Sequence, residues 1–112
     1  MSVLNVNANK RIYALDKHEI SLMISAFDAQ GEHYMDFRHA VNVFSSFRTI
    51  SQDIQCRLLN KKDQQFEFMK MIYKDKPLDP EDVPDDHNMH DSDVIMVYCS
   101  YLFQRGLFHD IY

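Results

Sequence analysis

The stretch that decides the fold is MKMIYKDKPLDPEDVPDDHNMHDSDVIMVY, Met69–Tyr98. Two apolar runs, Met69–Tyr73 and Val94–Tyr98, flank a polar loop that carries Pro77, Pro80 and Pro84. Runs rich in Ile, Val, Met and Tyr and bounded by turn residues read as strands. Proline lacks a backbone N–H and fixes φ, which keeps Pro77–Asp86 out of ladders and helix interiors. Val83 and Met89 are the apolar residues expected to pin this loop to a core. Asp93 precedes the last strand, where Ile95 and Val97 point inward.

Working outward, the strand before the loop is predicted over Phe66–Tyr73, with Phe66/Phe68 and Met69/Met71/Tyr73 as competing inward sets. A helix is predicted upstream. Asn42 is its expected N-cap, and Val43, Phe47, Ile50, Ile54 and Leu58 fall on one stripe at helical spacing. Ser45, Arg48, Gln52, Asp53 and Gln55 take the other side, and Asn60 followed by Lys61-Lys62 is the stop. Ile20, Leu22, Ile24 and Ala26 alternate with Ser21, Met23 and Ser25, which is the period of a half-buried strand. Asp28-Ala-Gln-Gly31 is a turn signal. Met35 and Phe37 share a face of the next run, and the pair makes a hairpin. The order strand, strand, helix, strand, loop, strand predicts an α+β domain. Its sheet is mixed, four- or five-stranded, and packed on one helix, with the final strand parallel to the first.

The chain has 112 residues, 46% apolar and 26% charged, which fits one small globular domain. It shows no run long enough to span a membrane and no secretory signal pattern at Met1-Ser-Val-Leu-Asn. An intracellular protein, nuclear or cytoplasmic, is expected, with no membrane partner. The net charge is −5, and the loop from Asp79 to Asp93 is acidic without a Lys or Arg. Lys61, Lys62, Lys70, Lys74 and Lys76 read as solvated charges, so no nucleic-acid partner is expected. Cys56 and Cys99 read as reduced thiols with no local base. His87 and His90 lie among aspartates, but their spacing is loose and no Cys is near, so no metal is assigned. With two glycines in the chain there is no phosphate loop, and no nucleophile elbow is present. No catalytic residue and no cofactor is expected, and the chain is read as a non-enzyme.

The Val83-Pro84, Met89 and Asp93-Val-Ile-Met-Val-Tyr98 elements, at their spacing, resemble the second half of the ubiquitin-like β-grasp family, most nearly its SUMO-like branch. The family has Thr-Pro, an apolar Met and Asp-Val-Ile-x-Val-Tyr there. The Tyr73-Lys-Asp-Lys-Pro-Leu-Asp79 stretch also resembles elongin B, a ubiquitin-like protein that works as a fixed subunit. The likeness covers about Ile20 to Tyr98 and implies a binding surface rather than a catalyst. Asp75 stands where the family usually has Gly, and His87 where it usually has an apolar residue. Conjugated members end in Gly-Gly, because glycine lacks the Cβ that would clash in a narrow enzyme channel. Here Gly106 is followed by Leu107-Phe-His-Asp-Ile-Tyr, and the chain is expected not to be conjugated.

The resemblance places a peptide groove between the second strand and the helix, where an extended aliphatic motif adds as a strand. Asp36 puts a negative charge where the family tends to be basic, with Arg38 to compensate. The expected organisation is an N-terminal extension over 1–19, a ubiquitin-like domain over 20–100 and an apolar tail over 101–112. Ile12-Tyr-Ala-Leu15 in the extension reads equally as a short strand or a helical turn. The expected function is a protein–protein interaction module, an adaptor or a subunit of an intracellular complex. Its partner-contacting residues are Met35, Phe37, Arg38, Phe44 and Phe47 near the groove, and Leu102, Phe103, Leu107 and Phe108 in the tail. The alternative is a SUMO-like domain that docks on the SUMO-conjugating enzyme or on SUMO-interacting motifs.

Overall fold

The alternation at Ile20–Ala26 forms the first strand, β1 (Glu19–Phe27), which pairs antiparallel with β2 (His33–Asn42). Residues 18–62 and 64–102 are described in the computed structural model. Residues 1–17 of the expected extension, and Phe103, Leu107 and Phe108 of the expected tail, lie outside them. Leu22, Ile24 and Ala26 are fully buried, so the even positions of β1 face the core. The hairpin turn is built on Asp28. Its Oδ1 accepts the Gln30 and Glu32 N–H groups at 2.9 and 3.0 Å, and Gly31 takes φ +81°, which glycine adopts without a Cβ clash.

Helix α1 (Phe47–Leu59) begins four residues later than the apolar spacing predicts. Pairing with Glu19 and Ile20 holds Val41 and Asn42 in β2. Asn42 Oδ1 accepts the Phe44 N–H at 2.8 Å in a side-chain turn. Ser46 is the N-cap instead, its hydroxyl accepting the Thr49 N–H at 3.2 Å. The Phe47 and Arg48 N–H groups donate to the Asp82 and Pro80 carbonyls, both at 2.9 Å. The acidic loop thus closes the helix N-terminus and brings negative charge to a first turn that has none of its own. At the other end Asn60 is the C-cap in the left-handed region at φ 53°, as the sequence predicts.

The third strand is shorter than expected. β3 spans Lys70–Tyr73, because helix side chains capture the backbone ahead of it. The Phe66 N–H goes to Gln52 Oε1 at 2.9 Å and the Met69 N–H to Ser51 Oγ at 3.1 Å. Gln55 Nε2 donates to the Glu67 carbonyl at 2.8 Å and to Ser51 Oγ at 3.1 Å. Gln55 is 1% exposed, so its expected place on the polar side is corrected; it is a buried cross-tie. Met69, Met71 and Tyr73 are the inward set. A two-residue edge strand, β4 (Lys76–Pro77), folds back on β3. Pro77 therefore does enter a ladder, at an edge where its missing N–H costs little. A 3₁₀ turn over Pro84–His87 follows, with Met89 and Pro84 buried and Val83 half-buried.

β5 (Val94–Tyr98) inserts between β1, to which it is parallel, and β3, to which it is antiparallel. The sheet order is β2-β1-β5-β3-β4. This five-stranded mixed sheet on one helix is the ubiquitin-like β-grasp fold. Phe47, Ile50 and Ile54 of α1 pack with Leu22, Ile24, Met71, Ile95 and Val97 of the sheet. Among the described residues, no helix is long and apolar enough to cross a membrane.

The β3–β4 turn holds Lys74 at φ 50° and Asp75 at φ 65°. A left-handed residue with a Cβ is strained, and two-residue hairpin turns of this kind favour Gly at the second position. Asp75→Gly is expected to raise stability by about 0.5–1 kcal/mol, read as a higher urea midpoint with an unchanged slope.

Candidate functional site

Among the described residues, two surfaces set accessible apolar side chains beside charged ones. The first lies between β2 and α1. The odd residues of β2 from Met35 to Val41 point to the helix side, and Tyr34, Met35, Phe37, Arg57 and Leu58 enclose a hollow of about 140 Å³. Met35 is 41% exposed. Arg57 closes the hollow from the helix: its guanidinium lies 4.4 Å from the centre of the Phe37 ring. Its Nη1 donates to the Arg38 carbonyl at 2.7 Å and meets His39 Nδ1 at 3.1 Å. That carbonyl belongs to the edge of β2 away from β1, so an added peptide strand would compete with Arg57 for it. Burial, and then the neighbouring Arg57 charge, hold the His39 imidazole below its usual range. A neutral His39 leaves Nδ1 free to accept from Arg57.

The second surface is the side of the sheet away from the helix. Strand register sets Met23 beside Val94, Ser25 beside Met96, and Met96 beside Ile72. Next to these, Phe27 stacks on Tyr98 with ring centres 4.8 Å apart, and Lys70 Nζ lies 5.6 Å from the Tyr98 ring. Val94 is 51% exposed. A shallow depression of about 310 Å³ opens where Ile72, Val94 and Met96 meet Lys74 and Asp93. Tyr73 donates its hydroxyl to Asp93 Oδ2 at 2.8 Å, and the His90 N–H donates to the same oxygen at 2.9 Å. The His90 bond, then the Tyr73 bond, hold the Asp93 carboxyl below the usual range. Burial, then Asp93, push the Tyr73 phenol up.

The structure divides the residues singled out from sequence. Met35 and Phe37 share the β2–α1 groove. Arg38 does not join them: it lies on the opposite face of the sheet and donates to Ser92 Oγ at 3.3 Å. The groove's cation is Arg57, which the sequence reading left unassigned. Asp36 also points to the open face, where His33 at 2.8 Å holds its carboxyl below the usual range. Phe47 is 0% exposed and Leu102 5% exposed; both are core residues rather than contact residues. Phe44 is exposed but precedes the helix, its ring 5.3 Å from that of His18. The open-face residues were missed. Their signal was an apolar residue in both phases of Val94–Tyr98, and Met23 out of phase in β1.

His87 pairs with Asp82 at 3.2 Å and lies between the rings of Phe47 and Tyr73, so it fills the apolar position that the resemblance marked. Among the described residues, no group of three or more His, Cys, Asp or Glu is placed to hold a metal ion. Cys56 and Cys99 are both free thiols; burial pushes the Cys99 thiol up.

A solved structure described by the words "Molecular Mimicry of SUMO promotes DNA repair" matches the chain with a TM-score of 0.55 and 18% identity. The match covers 71% of this chain and 90% of that one. At this identity the likeness is one of fold. No protein-family model matches the chain, and no curated protein matches it.

His39 gives the groove a pH dependence. Its folded pKa lies below the unfolded value of about 6.5, so the neutral form favours folding. The contribution is present above that unfolded value and is lost as pH falls through the folded one. The urea midpoint of the native protein is expected to fall more between pH 7.5 and pH 5 than that of His39→Gln. Parallel pH profiles of the two proteins check this.

Proposed function

We propose that this chain is a ubiquitin-like protein–protein interaction module that grips its partner through the open face of the sheet. The observation that carries this reading is the apolar row Met23, Ile72, Val94 and Met96 on the face turned away from α1. A strand that is apolar in both phases is ordinarily covered on both sides. Val94 is exposed and Met23, Ile72 and Met96 are half-buried, and an apolar patch with this access to a partner is of the kind that marks interaction sites. Arg38, Lys70 and Lys74 rim the row together with Asp36, Asp75 and Asp93, so the rim is mixed in charge and suits a partner with an apolar ridge and flanks of both signs. The role is binding rather than catalysis, as an adaptor or a subunit of a larger assembly.

A second reading has the same face dock on the SUMO-conjugating enzyme, away from its active cysteine. The likeness to a SUMO mimic favours it. Titrating the labelled chain with that enzyme tests it, and no binding at high micromolar concentration removes it.

Val94→Glu and Met96→Glu are expected to weaken capture of a stoichiometric partner from native extract at least tenfold, with the circular dichroism spectrum unchanged. Met35→Glu is expected to leave capture intact. Capture lost with Met35→Glu and kept with Met96→Glu would move the contact to the β2–α1 groove and overturn this reading. Recovery of no stoichiometric partner would also count against it.

A further inference from the structure

The open face repeats its own pattern across the line between β1 and β5. The parallel register sets Met23 beside Val94, Ser25 beside Met96, and Phe27 beside Tyr98. Outward on one side stands β2, with Arg38 beside Met23 and Asp36 beside Ser25. Outward on the other stands β3, with Ile72 beside Met96 and Lys70 beside Tyr98. Lys74 and Asp75 end the row that begins at Arg38, where they line the hollow with Val94 and Asp93. Each edge of the face thus carries both signs: Arg38 and Asp36 on the β2 side, Lys70, Lys74 and Asp75 on the β3 side. These five side chains are all exposed.

We propose that the partner gripped by the open face is a second copy of this chain, in a two-fold, face-to-face dimer. This inference rests on the partner reading above and names the partner. Stacked sheets lie about 10 Å apart, with strand directions within about 30° of each other. The axis runs along the strands between β1 and β5, so β1 of one copy lies over β5 of the other, and β2 over β3. A two-fold axis makes each contact twice, residue i on j and j on i. Met23 meets Val94 of the second copy at the edge of the hollow of about 310 Å³. Ser25 is the small residue between Met23 and Phe27 in β1, and it leaves room for Met96 of the second copy. The stacked Phe27–Tyr98 pair meets its own image.

The charges favour the same placement. Arg38 comes over the end of the hollow, where the carboxylates of Asp75 and Asp93 outnumber the ammonium of Lys74. Asp36 comes over Ile72, with Lys70 one step along the same face of β3. Opposite signs therefore meet at both edges, the complementarity that a partner of mixed charge requires. The β2–α1 groove lies on the far side of each copy and stays open in the dimer.

Sedimentation equilibrium of the full chain tests this. The mass is expected to climb from one chain to two as concentration rises through the micromolar range. Met96→Glu is expected to weaken association by about tenfold or more, and Met35→Glu to leave it unchanged. Asp36→Lys and Lys70→Glu are each expected to weaken it as well. An equimolar mixture of those two variants is expected to regain the native strength. In the mixed pair one edge holds the two exchanged charges and the other holds the two native ones. That regain also certifies that both variants are folded. A native chain that stays single at high micromolar concentration overturns the proposal. So does a mixture no stronger than either variant alone. Association lost with Met35→Glu and kept with Met96→Glu moves the contact to the groove and overturns it too. The partner reading fails separately: a single chain that still captures a different protein through Met96 removes only the second copy.

Discussion

The structure depends on the insertion of β5 between β1 and β3. The sheet has no centre without it: β1 carries the N-terminal hairpin on one side, and β3 with β4 forms the other. Parallel pairing with β1 requires a crossover, and α1 supplies it together with the captured segment ahead of β3. The end of the acidic loop prepares the insertion. The Met23 N–H donates to the Asp93 carbonyl at 2.8 Å, the Ser92 N–H to the Ser21 carbonyl at 2.7 Å, and the Ser21 N–H to Asp91 Oδ1 at 2.7 Å. These bonds extend the parallel ladder before the strand begins. Ile95 and Val97 then complete the core, while Val94 and Met96 face away from it. The same strand thus completes the core with one phase and supplies Val94 and Met96 to the opposite face with the other.

The acidic loop has a structural task that its charge alone does not reveal. Its backbone carbonyls at Pro80 and Asp82 take the first helical N–H groups, and the Asp85 N–H returns to the Val43 carbonyl at 3.0 Å. Asp79 Oδ1 accepts the Glu81 N–H, and Asp86 Oδ2 accepts the Val83 N–H, so several carboxylates are spent on local turns. Arg48 of α1 bonds Glu81 at 2.9 Å. Of the seven acidic side chains, Asp79, Asp86, Asp91 and Asp93 accept backbone amides, Glu81 bonds Arg48 and Asp82 pairs with His87, so most of the loop's charge has a partner.

Much of this architecture was legible in the chain, because strand phase is a local signal. The inward sets of β1 and β5, the hairpin at Gly31, the helix stop at Asn60 and the central place of the last strand are all found as expected. What escaped depends on contacts between distant segments. Asn42 and Ser46 are both good N-caps; pairing of Val41 and Asn42 with β1 decided between them. Gln55 looks solvent-facing by type and is buried because Glu67 and Cys99 meet it from other segments. Arg38 and Arg57 are indistinguishable as lone cations in sequence. One lies on the open face, and the other lies over Phe37. The open face itself went unread because attention to inward residues discards the opposite phase, which is where Met23 and Met96 stand.

The parallel pairing has a consequence for synthesis. Met23 and Val94 are neighbours in the sheet yet about 70 residues apart in the chain, a high-contact-order arrangement that folds late. At ~5–20 residues per second, translation delivers β5 roughly 4–14 s after β1. Throughout that interval the hairpin and helix leave the ribosome with their apolar sides bare. Until the final strand emerges, the unpaired edge of β1 and the apolar side of the helix are the places where the nascent polypeptide is open to aggregation.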